Sequence, residues 1–197
     1  MTDFTGQIQR IRDKLQEAKK ADKDLKVFGA DTHTYFMNGP SSESEISEFE
    51  ERYQIHLPEC YKAFIAQIGN GGTGYMNSAA GPYYGIYSLG TNIDDLICDN
   101  AEMYLKDDCV IDPEMTDEYW KSLKKSMYAK DLSDEEFERK SAGIYGGILP
   151  VGSQGCTFIH GIVLNGPWKG RVVNLDMNGA KPLFAFDNNF LKFRTYF

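Results

Sequence analysis

Apolar residues recur at helical spacing near the start of the chain. In residues 7–20, Ile8, Ile11 and Leu15 fall on one side of a helix whose other positions are mostly polar. Lysines at the end of this segment complement the helix macrodipole. The pattern predicts an amphipathic helix over residues 7–20, followed by a loop or irregular strand over residues 21–40.

Two consecutive helices are predicted over residues 43–69. Ser42 and Glu45 have the spacing of a capping box at the start of the first helix. Pro58 occupies a first-turn position of the second helix, after a short link with the sequence IHLP. Gly69 stands where a glycine commonly ends a helix. The apolar residues on the predicted buried faces are Ile46, Phe49, Tyr53, Tyr61, Phe64, Ile65 and Ile68.

The middle of the chain combines one aromatic segment with further helical patterns. Residues 82–89 are aromatic and apolar, which favours a strand. Apolar spacing predicts helices at 92–106 and 114–130. Ser133 and Glu136 form a second capping-box pattern, which predicts that another helix begins there.

Short β-prone runs alternate with glycine turns from Gly146 onward. The predicted strands lie near 147–151, 156–164, 170–176 and 182–185. Asn165-Gly166 and Asn178-Gly179 supply hairpin-type turns. A final helix capped by Asp187 is predicted to close the chain. Helices that precede a run of strands indicate an α+β fold instead of an alternating α/β fold.

The stretch IGNGGTGY contains Gly69, Gly71 and Gly74 at the spacing G-x-G-x-x-G of a dinucleotide-binding loop. Such a loop must follow a strand and open a helix, because the pyrophosphate binds at the helix N-terminus. Here a predicted helix precedes the glycines, and no helical pattern follows them. We therefore interpret the stretch as a helix end that leads into a loop.

The chain is acidic, and the acidity is concentrated in one part of it. With 29 acidic and 21 basic residues, the net charge is −8. Residues 41–118 hold sixteen acidic and three basic residues, whereas residues 119–197 hold seven acidic and eleven basic residues. A solvated face that aids solubility and a docking surface for a basic protein explain this distribution equally well. Because an acidic surface repels nucleic acid and anionic lipid, we expect neither as a partner.

Neither the cysteines nor the histidines have the spacing of a catalytic or metal site. The four cysteines lack C-x-x-C pairing, and the three histidines lie far apart. We therefore expect no cofactor and no metal. A pair of catalytic carboxylates remains an alternative, since only their separation in space defines it. The chain shows neither a signal-peptide pattern nor an apolar run long enough to span a membrane, so we expect a cytoplasmic protein. Its oligomeric state is not predicted.

Two stretches carry a family resemblance. The first is ISEFEERYQIHLPECYKAFIAQIGNGG, and the second is GILPVGSQGC with the hairpin that follows it. Together they resemble the SUKH superfamily, which includes bacterial immunity proteins and the fungal Smi/Knr cell-wall regulators. The residues that carry the resemblance are Phe49, Glu50, Tyr53, Leu57, Pro58, Tyr61, Phe64, Asn70, Gly71, Gly147, Ile148, Leu149, Pro150, Val151, Gly152, Gly155, Cys156, Leu164, Asn165, Gly166, Gly170 and Asp176. The closing stretch from Phe184 to Phe197 is similar to the terminal aromatic helix of the family.

The resemblance implies an α+β fold with a mixed, largely antiparallel, twisted sheet flanked by helices, and it implies no catalytic residues. Residues 1–40 are predicted to be a helical extension packed on a SUKH-like domain of residues 41–197. Within that domain, residues 99–142 are longer and more acidic than the family pattern, so they are predicted to form an acidic helical insertion.

For bacterial members the resemblance implies immunity, which is the binding and neutralisation of a toxin, frequently a nuclease. The acidic composition agrees with this, because a nuclease site that holds phosphates is basic. We therefore expect a cognate toxin with a basic surface as the partner. A regulatory scaffold linked to cell-wall glucan synthesis and a carboxylate-dependent enzyme are the alternatives. The predicted partner-binding residues are Glu43, Glu45, Glu48, Asp99, Glu102, Asp107, Asp108 and Asp112.

Overall fold

The structure is a computed structural model that describes residues 3–97 and 99–185, and it confirms the α+β class. The helices are α1 (Thr5–Ala21), α2 (Ala30–His33), α3 (Glu43–Tyr53), α4 (Glu59–Gln67), α5 (Asp117–Met127) and α6 (Asp134–Tyr145). The strands are β1 (Gly85–Ile86), β2 (Ile148–Gly155), β3 (Phe158–Val163), β4 (Val172–Asp176) and β5 (Leu183–Phe184). Short 3₁₀ turns lie at Tyr75–Asn77, Ile93–Asp95 and Ala101–Tyr104.

The strands form one antiparallel sheet in the order β1-β2-β3-β4-β5. β2 and β3 make the long central hairpin, in which Ile148 lies opposite Val163. The short strands β1 and β5 lie at the two edges. All four pairings between the described strands are antiparallel, so the parallel pair expected in a mixed sheet is not found among them.

Helices α1, α3 and α4 cover one face of the sheet. Leu149 and Ile162 of the central hairpin belong to a buried cluster with Ile8 of α1, Ile46 of α3 and Phe64 of α4. The predicted apolar stripes of these three helices therefore converge on a single core. Burial of this kind is the main favourable contribution to folding.

The second half of the chain covers the opposite face. Ile148 and Val173 of the sheet belong to a second buried cluster with Ile111, Trp120 of α5 and Ile144 of α6. Successive side chains of a strand point to opposite faces. Because both faces of the sheet are covered, most positions of β2, β3 and β4 are buried, and β2 and β3 do not alternate between buried and exposed positions.

Both predicted capping boxes are present. Ser42 Oγ accepts a hydrogen bond from the Glu45 backbone N–H at 3.2 Å, and Glu45 Oε2 accepts one from the Ser42 backbone N–H at 2.7 Å. Ser133 and Glu136 make the same reciprocal pair at the start of α6. Each pair satisfies two backbone donors that an uncapped helix would leave without partners.

The predicted helix at 92–106 is wrong. Only the two 3₁₀ turns occupy this part of the described chain, and Asn92 and Asn100, which precede them, have left-handed backbone conformations. A left-handed residue cannot continue a right-handed helix. Leu96 and Ile97 are nevertheless buried. The apolar residues of this segment therefore belong to an irregular stretch of chain that packs on the sheet.

Two other segments differ in extent from their predictions. The predicted strand at 82–89 is reduced to Gly85–Ile86. Tyr83 has a φ of 56°, which is outside the extended region, so the strand does not begin before it. The predicted loop at 21–40 contains the single-turn helix α2. The final helix predicted from Asp187 lies outside the described residues.

The glycine stretch follows α4, as predicted, and leads into a loop. Gly69 does not have the left-handed φ of a common helix-ending glycine. A Cβ atom at Gly69 would instead overlap the carbonyl oxygen of Asn38, and one at Gly71 would overlap the side chain of Ser88. The glycines therefore allow three segments of chain to approach closely. The order of helix and then loop confirms the structural interpretation of the motif.

The N-terminal helix contacts the rest of the fold directly. Ile8 is buried in the first core cluster, and Arg12 Nη2 donates a hydrogen bond of 2.5 Å to the carbonyl oxygen of Gln67. In residues 99–142, Trp120 and Met127 are buried against the sheet. The division into an extension of residues 1–40 and a domain of residues 41–197 stays a prediction.

Candidate functional site

A groove with an acidic rim lies between the first turn of α1 and the helices α3 and α4. Its cavity volume is about 670 Å³. Ile46, Ala63 and Ala66 provide an apolar surface, while Glu43 and Glu59 provide carboxylates. We call it the α3–α4 groove. It is lined by Asp3, Phe4, Thr5, Glu43, Ile46, Ser47, Glu50, Glu59, Lys62, Ala63, Ala66 and Gln67.

A second cavity of about 460 Å³ continues the groove along α3, and the name α3–α4 groove covers both cavities from here on. The two cavities share Ser47 and Glu50, and the second adds Glu51 and His56. Lys62 is the only cation among the residues that line these two described cavities, against five carboxylates. The combined surface therefore carries a strong excess of negative charge.

Glu50 has a structural role within this surface. Its Oε1 accepts a hydrogen bond of 2.6 Å from the backbone N–H of Leu57, and it lies 3.2 Å from Lys62 Nζ. The carboxylate therefore fixes the link between α3 and α4 and balances the positive charge of Lys62. This explains why the glutamate belongs to the residues that carry the family resemblance. The excess charge comes from Asp3, Glu43, Glu51 and Glu59, whose side chains are exposed.

The three predicted partner-binding residues on α3 have different roles. Glu43 lies in the first turn and lines the groove. The carboxylate of Glu45 is occupied by its capping box with Ser42. Glu48 Oε1 accepts a hydrogen bond of 2.9 Å from Ser44 Oγ. Of the three, Glu43 is the one that the structure brings into the groove.

Asp99 and Glu102 are exposed, and Glu102 lies near the end of α3. Glu102 lines a separate cavity of about 310 Å³ together with Arg52, Tyr53 and Lys106. Two cations therefore share this cavity with a single carboxylate, and the local charge is not acidic. This differs from the uniform acidity that the sequence suggests for residues 99–118.

Asp107 and Asp108 are exposed, whereas Asp112 is half-buried. Asp112 Oδ1 accepts a hydrogen bond of 2.7 Å from the backbone N–H of Glu114, so its carboxylate stabilises a local turn. The backbone of Asp107 packs against Gly147, where a Cβ atom would overlap its carbonyl oxygen. Asp107 and Asp108 are thus the carboxylates of this group that remain available at the surface.

One loop connects the two acidic regions. It follows β3, and its Asn165 Nδ2 donates hydrogen bonds to the carbonyl oxygens of Leu105 at 2.9 Å and Asp107 at 3.1 Å. In the same loop, Lys169 Nζ donates to the carbonyl oxygen of His56 at 2.6 Å. The 105–108 segment and the link between α3 and α4 therefore lie on either side of this loop.

A family model described as SMI1 / KNR4 family (SUKH-1) matches residues 40–194. The chain belongs to the SMI1 / KNR4 family. This confirms the resemblance drawn from the sequence, and the matched range includes both α3 and the 99–112 segment. No curated protein and no solved structure matches the chain.

Sequence reasoning missed Asp3, Glu59 and Lys62 of the groove in this SMI1 / KNR4 member. Glu59 follows Pro58 in a first helical turn, where an acidic residue complements the macrodipole, so the sequence around it indicates only the start of a helix. Asp3 reaches the groove only because α1 packs beside α4. No sequence spacing indicates that contact.

Buried titratable groups of this SMI1 / KNR4 member lie away from the groove. Burial lowers the pKa of His160 to about 4, although its Nδ1 lies 2.8 Å from Asn174 Oδ1. Burial raises the pKa of the Cys109 thiol to about 11, which makes the reactive thiolate rare at neutral pH. Burial also raises the pKa of Asp95, whose Oδ2 accepts a hydrogen bond of 3.0 Å from Tyr87.

Residues 3–97 and 99–185 contain no cluster of three or more His, Cys, Asp or Glu side chains arranged to hold a metal ion. Over the same residues, none of the helices combines the length and the apolar character that crossing a bilayer requires.

Proposed function

We propose that this protein is a non-catalytic immunity protein that binds and neutralises a toxin with a basic surface. Membership of the SMI1 / KNR4 family supports a role in binding a toxin partner in general. The observation that carries the finer proposal is the α3–α4 groove, which combines an apolar floor with exposed carboxylates.

The two components of the groove have separate roles in this proposal. The rim carboxylates Glu43, Glu51 and Glu59 attract a basic protein and speed its association. The apolar surface of Ile46, Ala63 and Ala66 receives an apolar side chain, which supplies affinity once the surfaces dock.

The 99–112 segment extends the proposed surface. Asp107 and Asp108 lie beyond the loop that carries Asn165 and contribute further exposed carboxylates. Glu45, Glu48 and Asp112 have local hydrogen-bonding roles, so we assign them a smaller share of the binding than the sequence alone suggested.

A nuclease is the class of toxin that this surface fits best. An enzyme that cleaves nucleic acid holds phosphates with lysine and arginine side chains. The carboxylates at the rim of the groove are complementary in charge to those lysine and arginine side chains. When the two proteins bind, the carboxylates take the positions of the substrate's phosphates in the toxin's active site. Inhibition then results from occlusion of the toxin's active site and needs no chemistry by the immunity protein.

A growth-rescue experiment tests the proposal. Toxin genes adjacent to the gene for this chain are expressed in a sensitive bacterial host with and without the chain, and colony formation is counted. We expect the chain to restore growth against one such toxin and to co-purify with it. If the chain rescues growth against none of them and instead co-purifies with enzymes of cell-wall glucan synthesis, the regulatory-scaffold alternative replaces the proposal.

A further inference from the structure

A cavity with an excess of positive charge lies beside the α3–α4 groove. It is formed by the last turn of α3 and the 3₁₀ turn Ala101–Tyr104, and its volume is about 310 Å³. Gln54 lines both this cavity and the groove, so the two adjoin at the end of α3. We call the cavity the α3-end pocket. It is lined by Arg52, Tyr53, Gln54, Glu102, Met103 and Lys106.

The two cations of the α3-end pocket are not used to hold the fold together. Arg52 and Lys106 are both exposed, and neither forms an ion pair with another residue of 3–97 or 99–185. Lys62 of the groove differs in this respect, because it is paired with Glu50. The Arg52 guanidinium carbon lies 5.4 Å from the centroid of the Tyr53 ring. Contact with an aromatic face restricts the orientation of the guanidinium and leaves its N–H donors available to a partner.

The α3-end pocket lies between two sets of exposed carboxylates. On one side, the groove includes Glu51, which is the neighbour of Arg52 in the chain. On the other side, Lys106 is followed directly by Asp107 and Asp108. The proposed toxin-binding surface is therefore interrupted by positive charge between its two acidic parts.

A toxin surface with basic side chains alone does not fit this arrangement. A lysine or arginine placed in the pocket would meet two charges of its own sign, which disfavours the complex. Glu102 balances one of the two cations, so one positive charge remains for a group from the partner. A carboxylate is the side-chain group that accepts hydrogen bonds from both a guanidinium and an ammonium group.

The remaining lining of the pocket suits a single side chain. Its volume of about 310 Å³ is at the lower end of the range for ligand pockets, roughly 300–1,000 Å³. Met103, which is 60 % exposed, and the Tyr53 ring offer apolar contacts to the methylene groups of an aspartate or glutamate. The Gln54 amide adds a further hydrogen-bond donor.

We propose that the α3-end pocket binds a carboxylate side chain that lies within the basic surface of the toxin. This inference rests on the proposed function and adds a second requirement to it. The groove selects a basic protein, and the pocket selects one with an aspartate or glutamate at the matching position. The active site of a metal-dependent nuclease meets both requirements, because carboxylates that bind divalent cations lie there among side chains that hold phosphates.

Charge reversal of the pocket tests the proposal, with the affinity for the toxin found by growth rescue measured by calorimetry at physiological ionic strength. Arg52→Glu/Lys106→Glu makes the surface more acidic, so general attraction alone predicts tighter binding of a basic toxin. We expect the opposite, a loss of affinity of at least about tenfold, because the toxin's carboxylate then meets two like charges. The control Lys121→Glu/Lys125→Glu changes the net charge equally at exposed positions of α5, on the other face of the sheet, and should bind at least as tightly as wild type.

Two further measurements identify the bound group. Glu102→Gln removes the carboxylate that competes with that of the toxin, so it should tighten binding by about twofold or more. If Glu102 instead contacts a basic residue of the toxin directly, the same substitution weakens binding and the proposal is wrong. Substitution of each surface aspartate and glutamate of the toxin by lysine should include one change that restores affinity for Arg52→Glu/Lys106→Glu.

Unchanged or tighter binding by Arg52→Glu/Lys106→Glu overturns the proposal and leaves the proposed function standing, as does a toxin scan in which no substitution restores affinity. If the wild-type chain binds none of the toxins, the proposed function fails and the role of the pocket fails with it. Thermal unfolding checks that each variant is folded. Should the double variant be unfolded, Lys106→Glu alone provides the test, with an expected loss of affinity of at least about threefold.

Discussion

The side chain of Asn70 joins Ser41, which precedes the N-cap of α3, to the segment after β1. Its Nδ2 donates a hydrogen bond of 2.7 Å to Ser41 Oγ, and its Oδ1 accepts one of 2.7 Å from the backbone N–H of Leu89. Asn70 lies within the glycine stretch that has the spacing of a nucleotide-binding loop. The stretch is therefore a junction between three segments of chain, and its polar side chain is used to hold them together.

Replacement of Asn70 by alanine should lower the free energy of unfolding by about 1–3 kcal/mol, because it leaves the backbone N–H of Leu89 without its acceptor. Urea denaturation measures the change. Asn178→Ala, which removes an exposed side chain in the turn after β4, should change stability by less than about 0.5 kcal/mol. Equal effects of the two substitutions would contradict the role assigned to Asn70.

Gly69→Ala should destabilise the fold by about 1–3 kcal/mol, since the new methyl group would overlap the Asn38 carbonyl oxygen and the Met37 side chain. Gly143→Ala is the matched control. Gly143 lies inside α6 with open space around its missing Cβ, so alanine there should stabilise the helix by about 0.5–1 kcal/mol. Thermal unfolding of the two variants should therefore shift in opposite directions, and a shift of the same sign in both would be the contrary result.

His160 should make stability depend on pH between about 6.5 and about 4. Its pKa is depressed in the folded state, so its contribution is fully present above the unfolded pKa of 6.5 and is lost as the pH falls towards the folded pKa of about 4. The loss should reach up to about 3 kcal/mol. It is measured as the slope of unfolding free energy against pH.

The slope should be smaller in His160→Gln than in wild type. Should His160→Gln fail to fold, an NMR titration of the wild-type ring gives the pKa directly. A His160 pKa near 6.5 in the folded protein would disprove the predicted dependence.

Local signals in the sequence were sufficient for much of the fold. The apolar stripes and capping boxes of α3 and α6 correctly predicted where these helices begin, because those signals act within a few residues. The prediction of a helix at 92–106 was wrong because burial there depends on distant parts of the chain. Leu96 and Ile97 are buried by the sheet and not by a helix, and periodicity alone does not separate the two cases.

The candidate site was only partly predictable. Glu43 could be identified from composition, since it lies in an acidic run. Asp3 and Glu59 join the same groove through tertiary packing of α1 and α4, which no spacing in the sequence encodes. Glu45 and Asp112 show the opposite error. They were predicted to bind a partner because they are acidic, but their carboxylates accept local hydrogen bonds from the backbone.

The central claim is that the α3–α4 groove binds a basic toxin, and the association rate of the toxin found by growth rescue tests it most directly. The rate is measured at low salt for wild type and for the triple variant Glu43→Lys/Glu51→Lys/Glu59→Lys. Glu17→Lys/Asp131→Lys/Glu135→Lys is the control, because it changes the net charge equally at exposed positions outside the groove. We predict a decrease of at least about tenfold for the groove variant and a much smaller one for the control. Equal rates for the groove variant and the control would contradict the account.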